Sequence, residues 1–88
     1  MAVTLRRMSI AQALPLAREL AENYATANAF EGDLIEVKPD SMRPDRIGKV
    51  PVHWVAVFST VLNGVEYDDP IVLCVNLEER TVEPFSSL

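Results

Sequence analysis

The residues of this chain best suited to chemistry are its one cysteine, Cys74, and its one histidine, His53. A nucleophilic thiolate needs an electropositive, partly exposed setting and a base within hydrogen-bond reach. Cys74 lies instead inside an apolar run, where a lone cysteine is most often a small core residue. If a loop connects residues 62 and 70, strand pairing puts Cys74 opposite Phe58 and His53 near Glu79, several rungs apart. The sequence therefore predicts no thiol–imidazole pair.

Two further motifs fail as sites. Glu66, Asp68 and Asp69 offer three carboxylates, but they lack the glycine and the ligand spacing of a calcium loop. We interpret them as a solvated turn. The dipeptide Gly48-Lys49 resembles the end of a phosphate-binding loop, but Val50 follows where serine or threonine is needed. We therefore expect no metal, no cofactor and no enzymatic activity.

Charge narrows the choice of partner. The 88 residues carry a net charge of −5, which disfavours nucleic acid because phosphate binding needs a basic surface. The distribution is uneven, since Lys38, Arg43, Arg46 and Lys49 flank one loop whereas acidic residues dominate the stretch 66–83. An acidic end opposite a basic loop could steer a charged protein partner. The alternative is that both are ordinary solvated faces.

Length and composition predict one domain over residues 1–88, with 1–8 as a flexible lead-in. The hydrophobic fraction is 49%, which is typical of a globular chain, and no apolar run approaches the roughly 20 residues of a membrane span. Arg6-Arg7 before an apolar stretch loosely resembles an export signal, but Gln12 and Pro15 interrupt that stretch. We therefore expect a cytoplasmic protein without a membrane partner.

The first element is an amphipathic helix. Ser9 and Gln12 have the spacing of a capping box, and apolar residues follow at three- and four-residue spacing. Pro15 implies either a kink or a separate lead-in turn before the regular helix, and Gly32 suits a left-handed terminus. The expected buried stripe consists of Ile10, Leu14, Ala17, Leu20 and Tyr24.

Strands follow the helix. Apolar runs separated by turn residues predict strands over 33–38, 52–62, 71–77 and 82–85, with a long loop over 39–51 and an Asn63-Gly64 turn. Because no helix lies between these strands, the sheet should be antiparallel. The predicted fold class is α+β, with an N-terminal helix packed on one face of a 3–4-stranded antiparallel sheet in αβββ order.

One helix covers only one face of such a sheet. The other face then keeps apolar side chains in water, namely Val55, Val57, Val61, Val72 and Cys74. Apolar faces of this kind usually have a partner, so we expect a homodimer made by packing or extending the sheets. The alternatives are that the loop 39–51 folds back over the face, or that a different protein covers it.

The order of elements resembles the small helix-plus-three-strand domains of the PepSY type. The matching segments are Ser9 to Ala13, Leu34–Val37, His53–Phe58, the turn 63–67 and the stretch Val75–Val82. Asn76 stands where that pattern has Asp, Arg80-Thr81 stands where it has Thr-Gly, and the loop 39–51 is an insertion. The strand pattern is also similar to that of some bacterial toxin-immunity proteins. Both resemblances imply binding of another protein, by inhibition or neutralisation, rather than catalysis.

We therefore expect a small interaction module whose partner contacts the basic loop and the neighbouring strand. The candidate binding residues are Arg43, Arg46, Lys49, His53 and Trp54. The rival hypothesis is a small-molecule-binding or enzymatic domain with a cavity between helix and sheet. Its candidate residues are Tyr24, His53 and Cys74.

Overall fold

The computed structural model describes residues 4–85, in which one helix packs against a sheet. The elements are a 3₁₀ turn (Leu5–Arg7), α1 (Ile10–Ala27), β1 (Leu34–Pro39), β2 (Arg46–Ile47), β3 (Val50–Pro51), β4 (His53–Leu62), β5 (Val65–Asn76) and β6 (Thr81–Pro84). Strands β1, β4, β5 and β6 form one sheet in that order, whereas β2 and β3 form a separate hairpin. All pairs are antiparallel. The predicted α+β class, with the helix on one face, is confirmed.

The helix begins at the capping box that the sequence predicts. The Ser9 hydroxyl accepts a hydrogen bond from the Gln12 amide at 3.2 Å, and the Gln12 side chain accepts one from the Ser9 amide at 2.9 Å. Two otherwise unpaired amide groups of the first turn are thereby satisfied. The helix then continues through Pro15 from Ile10, so the hypothesis of a separate lead-in turn is wrong.

Alanine forms the buried stripe of α1. Its buried members are Ala13, Ala17, Ala21 and Ala25. The prediction that Ile10 and Leu14 occupy this stripe is wrong, since they are 48% and 42% exposed. Alanines at i, i+4 spacing lie on one helix face, and their small side chains let the helix backbone come close to the sheet. Larger residues pack along the margins of this contact, namely Leu16, Leu20 and Tyr24.

The sheet supplies the bulky half of the core. Trp54, Ala56 and Phe58 alternate along β4 as buried residues, and Leu73 and Val75 join them from β5. Trp54 is 1% exposed, and its indole N–H donates a hydrogen bond to the Pro51 carbonyl at 2.8 Å. Trp54, which we predicted as a binding residue, is therefore part of the core instead.

The β4–β5 hairpin is tighter than the sequence predicts. Asn63 and Gly64 have φ angles of 53° and 79°, the positive values of a two-residue turn that suits the twist of a hairpin. Leu62 consequently pairs with Val65. The stretch 65–70, which we predicted as a turn, is therefore strand.

This change shifts the strand register. A bulge between Phe58 and Thr60 realigns β4 with β5 beyond the turn, so that Cys74 pairs with Val55 and His53 pairs with Asn76. The predicted separation of His53 from Cys74 by several rungs is therefore wrong. The two residues lie on neighbouring rungs of the same sheet face.

Both segments predicted to be loose have packed structure. In the N-terminal segment, Leu5 and Met8 are buried in the core, so residues 4–8 are not a loose lead-in; residues 1–3 lie outside the described range. The segment predicted as a long loop over 39–51 contains the β2–β3 hairpin, and its residue Val50 is fully buried. Gly48 turns this hairpin with a φ of 62°.

A close backbone approach explains Gly32. The left-handed residue after α1 is Ala29, with a φ of 56°, so Gly32 does not play the predicted capping role. A Cβ atom on Gly32 would lie 1.8 Å from the Ser59 carbonyl oxygen. The next residue, Asp33, exchanges hydrogen bonds with Ser59 at 2.9 Å in each direction. Gly32 therefore allows the chain that enters β1 to dock against Ser59 of β4, where the register with β5 shifts.

We expect Gly32→Ala to destabilise the protein, because a methyl group there forces the Ser59 backbone to move. The loss should be at least about 1 kcal/mol in the free energy of unfolding, as for other overpacked sites. Ala29→Gly is the matched control and should raise the free energy of unfolding, since it relieves about 1 kcal/mol of left-handed backbone strain at this residue. Urea unfolding followed by circular dichroism measures both; equal stability of Gly32→Ala and wild type would contradict the close approach.

We expect Ala21→Leu to cost about 1–3 kcal/mol, because no space remains between α1 and the sheet for three more carbon atoms. Ala11→Leu is the control, since Ala11 is exposed on the same helix and the change there should stay within about 0.5 kcal/mol. Urea midpoints that shift equally in the two variants would show that the alanine face does not set the helix–sheet distance.

Candidate functional site

The face of the sheet opposite α1 has an apolar centre between charged edges. We call it the open face. Val55 pairs with Cys74 across the two central strands, and Val57 pairs with Val72. Lys38 of β1 lies beside Val55, and Glu83 of β6 lies beside Cys74. Lys38, Val55, Cys74 and Glu83 therefore form one row across all four strands.

The segment that follows β1 turns part of this face into a groove. The groove has a volume of about 640 Å³ and a floor of Val55, Val72 and Cys74. Residues 40–43 line one side, and residues 83–85 line the other. At the two sides lie Met42 and Phe85, which are 87% and 56% exposed. On the floor, Cys74 is only 9% exposed, so the prediction that its side chain stays in water is wrong, whereas Val55 and Val72 are half-buried.

An ion pair fixes one wall of the groove. The Arg43 Nε donates to the Asp40 Oδ2 at 3.0 Å, and the Met42 amide donates to the Asp40 Oδ1 at 2.9 Å. Burial raises the pKa of Asp40, but these two hydrogen bonds and the charges of Arg43 and His53 outweigh it and lower the pKa below 3.8. The hydrogen bond to Asp40 raises the pKa of Arg43, and the neighbouring Cys74 raises it further. Arg43 is therefore a fixed cation.

His53 lies at the end of the groove near Arg43. Its side chain is 19% exposed, and its Nε2 lies 3.5 Å from the Asp45 Oδ2. A small side pocket of about 60 Å³ contains His53, Arg43 and Cys74 among its lining residues. Each basic group here is directed to a carboxylate, Arg43 to Asp40 and His53 to Asp45. The arrangement is suited to binding and does not couple the imidazole to the thiol.

The structure separates the remaining predicted site residues. Arg46 and Lys49 lie in the β2–β3 hairpin, where the Arg46 Nη1 donates to the Lys49 carbonyl at 3.2 Å. Both are exposed, and neither lines the groove. Of the basic loop, only Arg43 joins His53.

Tyr24 belongs to the other side of the sheet. It packs edge-on against Phe30, with ring centres 5.9 Å apart, and Phe30 packs against Phe58 in the core. His53 and Cys74 lie on the open face, so these three candidates do not share a cavity between helix and sheet.

Sequence reasoning did not assign five residues of the groove to a site, namely Asp40, Met42, Glu83, Pro84 and Phe85. Met42 lies in the predicted loop 39–51, where no hydrophobic spacing points to it. Phe85 ends the predicted strand 82–85, but that pattern does not show which side chains it meets. Asp40 was also missed, although its i, i+3 spacing to Arg43 was a usable signal, since such pairs meet across a tight turn.

No family model matches this chain, and no curated protein or solved structure shows significant similarity to it. Over residues 4–85, no cluster of three or more potential metal ligands is present. Within the same range, no helix has both the length and the apolar character to cross a membrane. The resemblances to PepSY and immunity proteins stay predictions.

We expect Asp40→Asn to flatten the acid dependence of stability. Because the pKa of Asp40 is lowered on folding, its ionised form stabilises the fold above its unfolded pKa, and this contribution is lost as the pH falls below about 4. Urea unfolding at about pH 6 and about pH 3 measures the difference. The control is Asp45→Asn in the same segment, whose side chain is 78% exposed. An unchanged pH slope in Asp40→Asn would contradict the role of the Arg43–Asp40 pair.

Proposed function

We propose that this protein is a small interaction module that binds another polypeptide on the open face of its sheet. The observation that carries the proposal is the groove between residues 40–43 and 83–85, with a floor of Val55, Val72 and Cys74. Burial of one such side chain contributes about 1.5–3 kcal/mol. Aromatic residues and methionine are enriched at protein interfaces, and Phe85 and Met42 lie at the sides of this groove.

The sheet edges favour the face over strand addition as the binding mode. β1 has a bulge between Leu34 and Glu36 and ends at Pro39, and it presents Glu36 and Lys38, all of which discourage pairing with a further strand. β6 is only four residues long and ends at Pro84. Both edges therefore resist β-augmentation, whereas the open face has no such protection.

A second candidate function is the binding of a small apolar molecule in the groove. Its volume of about 640 Å³ lies within the range of about 300–1,000 Å³ that is typical of ligand pockets. The Arg43–Asp40 pair would then orient a polar end of the ligand. An inhibitory or immunity-like role and a cytoplasmic location stay predictions from the sequence.

Site-specific photo-crosslinking in living cells tests the proposal. We expect Met42→p-benzoylphenylalanine to give a discrete protein adduct on irradiation, because Met42 lies at the side of the groove. The control is Asn23→p-benzoylphenylalanine, which places the same probe on the exposed side of α1. The absence of a protein adduct at Met42, or equal adducts at both positions, would contradict the open face as a protein-binding surface. Native mass spectrometry of the purified protein then tests for a retained small molecule.

A further inference from the structure

We propose that the polypeptide bound on the open face is a second copy of this chain. The two sheets pack face to face about a two-fold axis that runs parallel to the strands between β4 and β5. Each Lys38 then lies beside the partner's Glu83, and each Val55 lies over the partner's Cys74. This inference rests on the proposed function, since it names the partner of the same surface.

The charges of the central row select this symmetry. The row begins with Lys38 on one edge strand and ends with Glu83 on the other. A two-fold axis parallel to the strands exchanges the two edges, so that each base meets an acid. An axis that runs perpendicular to the strands through this row would keep each edge residue over its own copy, and like charges placed opposite each other are destabilising. Of these two axes, the parallel one makes the row complementary to its own copy.

Neither charge has a strong partner within its own chain. The Lys38 Nζ lies 3.3 Å from the Glu36 Oε1, but both side chains are more than half exposed, and such surface pairs contribute little. Among residues 4–85, no cationic group lies within 4.0 Å of the Glu83 carboxylate. Glu83 also lines the groove. A lysine from a second copy would supply the missing cation there.

The neighbouring row fits the same axis. This row contains Glu36, Val57 and Val72. Phe85 lies at its other end, beside Val72, since the Phe85 amide donates to the Val72 carbonyl at 2.9 Å. The exchange places Val57 over the partner's Val72. Stacked sheets lie about 10 Å apart, a gap that facing lysine and glutamate side chains can bridge together. The apolar centre therefore packs while Lys38 and Glu83 pair at both edges, and Glu36 lies at the margin beside the partner's Phe85.

A charge-exchange experiment tests the inference by sedimentation equilibrium at micromolar concentration and low salt. Lys38→Glu and Glu83→Lys should each raise the dimer dissociation constant by about tenfold or more, because each places like charges in contact. The double variant Lys38→Glu/Glu83→Lys should recover most of the wild-type affinity. Glu19→Lys, on the exposed side of α1, is the control for net charge and should dimerise as the wild type does.

A second variant tests the apolar centre. Val57→Lys should dissociate the dimer while the helical signal in circular dichroism persists, because Val57 is on the open face and not in the core. If the wild type stays at 9.8 kDa on concentration, or if the double variant is no tighter than the single ones, the inference is wrong. An adduct of Met42 with a different protein, beside a monomeric wild type, would overturn this inference and leave the proposed function standing. A monomer with no Met42 adduct would overturn both.

Discussion

The close contact between the alanine face of α1 and the bulky face of the sheet is the interaction on which the rest of the structure depends. Ala13, Ala17 and Ala21 are fully buried against a layer that contains Trp54 and Phe58. Because the helix contributes almost no side-chain volume at the centre of this contact, the sheet must supply it. One side of β4 is therefore committed to the core, and the alternation of side chains along a strand commits its other residues to the opposite face.

This division of side chains between the two faces of the sheet explains why the open face exists. A single helix covers one side of a four-stranded sheet, and the segments 40–43 and 83–85 flank a groove on the other side. The Arg43–Asp40 pair holds the first of these segments in place, and its cost is small because the two charges satisfy each other and the Met42 amide also donates to Asp40. The result is a groove rather than a second covered layer.

The arrangement of polar residues around this face is consistent with a surface that is selective in how it associates. The edges of the sheet carry a bulge, prolines and charges, which hinder uncontrolled strand addition. The face between them is apolar with a base on one side and an acid on the other. A surface of that kind favours one orientation of a partner, because a wrong orientation brings like charges together. In the proposed association, the edges would supply specificity and the centre would supply affinity.

By itself the sequence determined the features that depend on neighbouring residues. The capping box at Ser9, a turn at Asn63-Gly64, the order of the helix and the four strands of the main sheet and the α+β class all follow from local backbone preferences and hydrophobic spacing. These features could be predicted because the interactions that fix them span only a few positions along the chain. The uncovered apolar face also followed, since side-chain alternation in a strand is a local property.

Only the tertiary structure decided which side chains meet. Which stripe of α1 is buried depends on how closely the helix approaches the sheet. The alanine side of the helix is therefore buried, and Ile10 and Leu14, which hydrophobicity alone would place in the core, are exposed. The pairing of Cys74 with Val55 depends on the register shift between β4 and β5 beyond the Asn63-Gly64 turn, and the close approach of Gly32 to Ser59 joins backbone positions 27 residues apart in the chain. The groove likewise requires Met42 and Phe85, which lie 43 residues apart, to flank the same strands. Such contacts between distant residues are set by packing, and no local pattern encodes them.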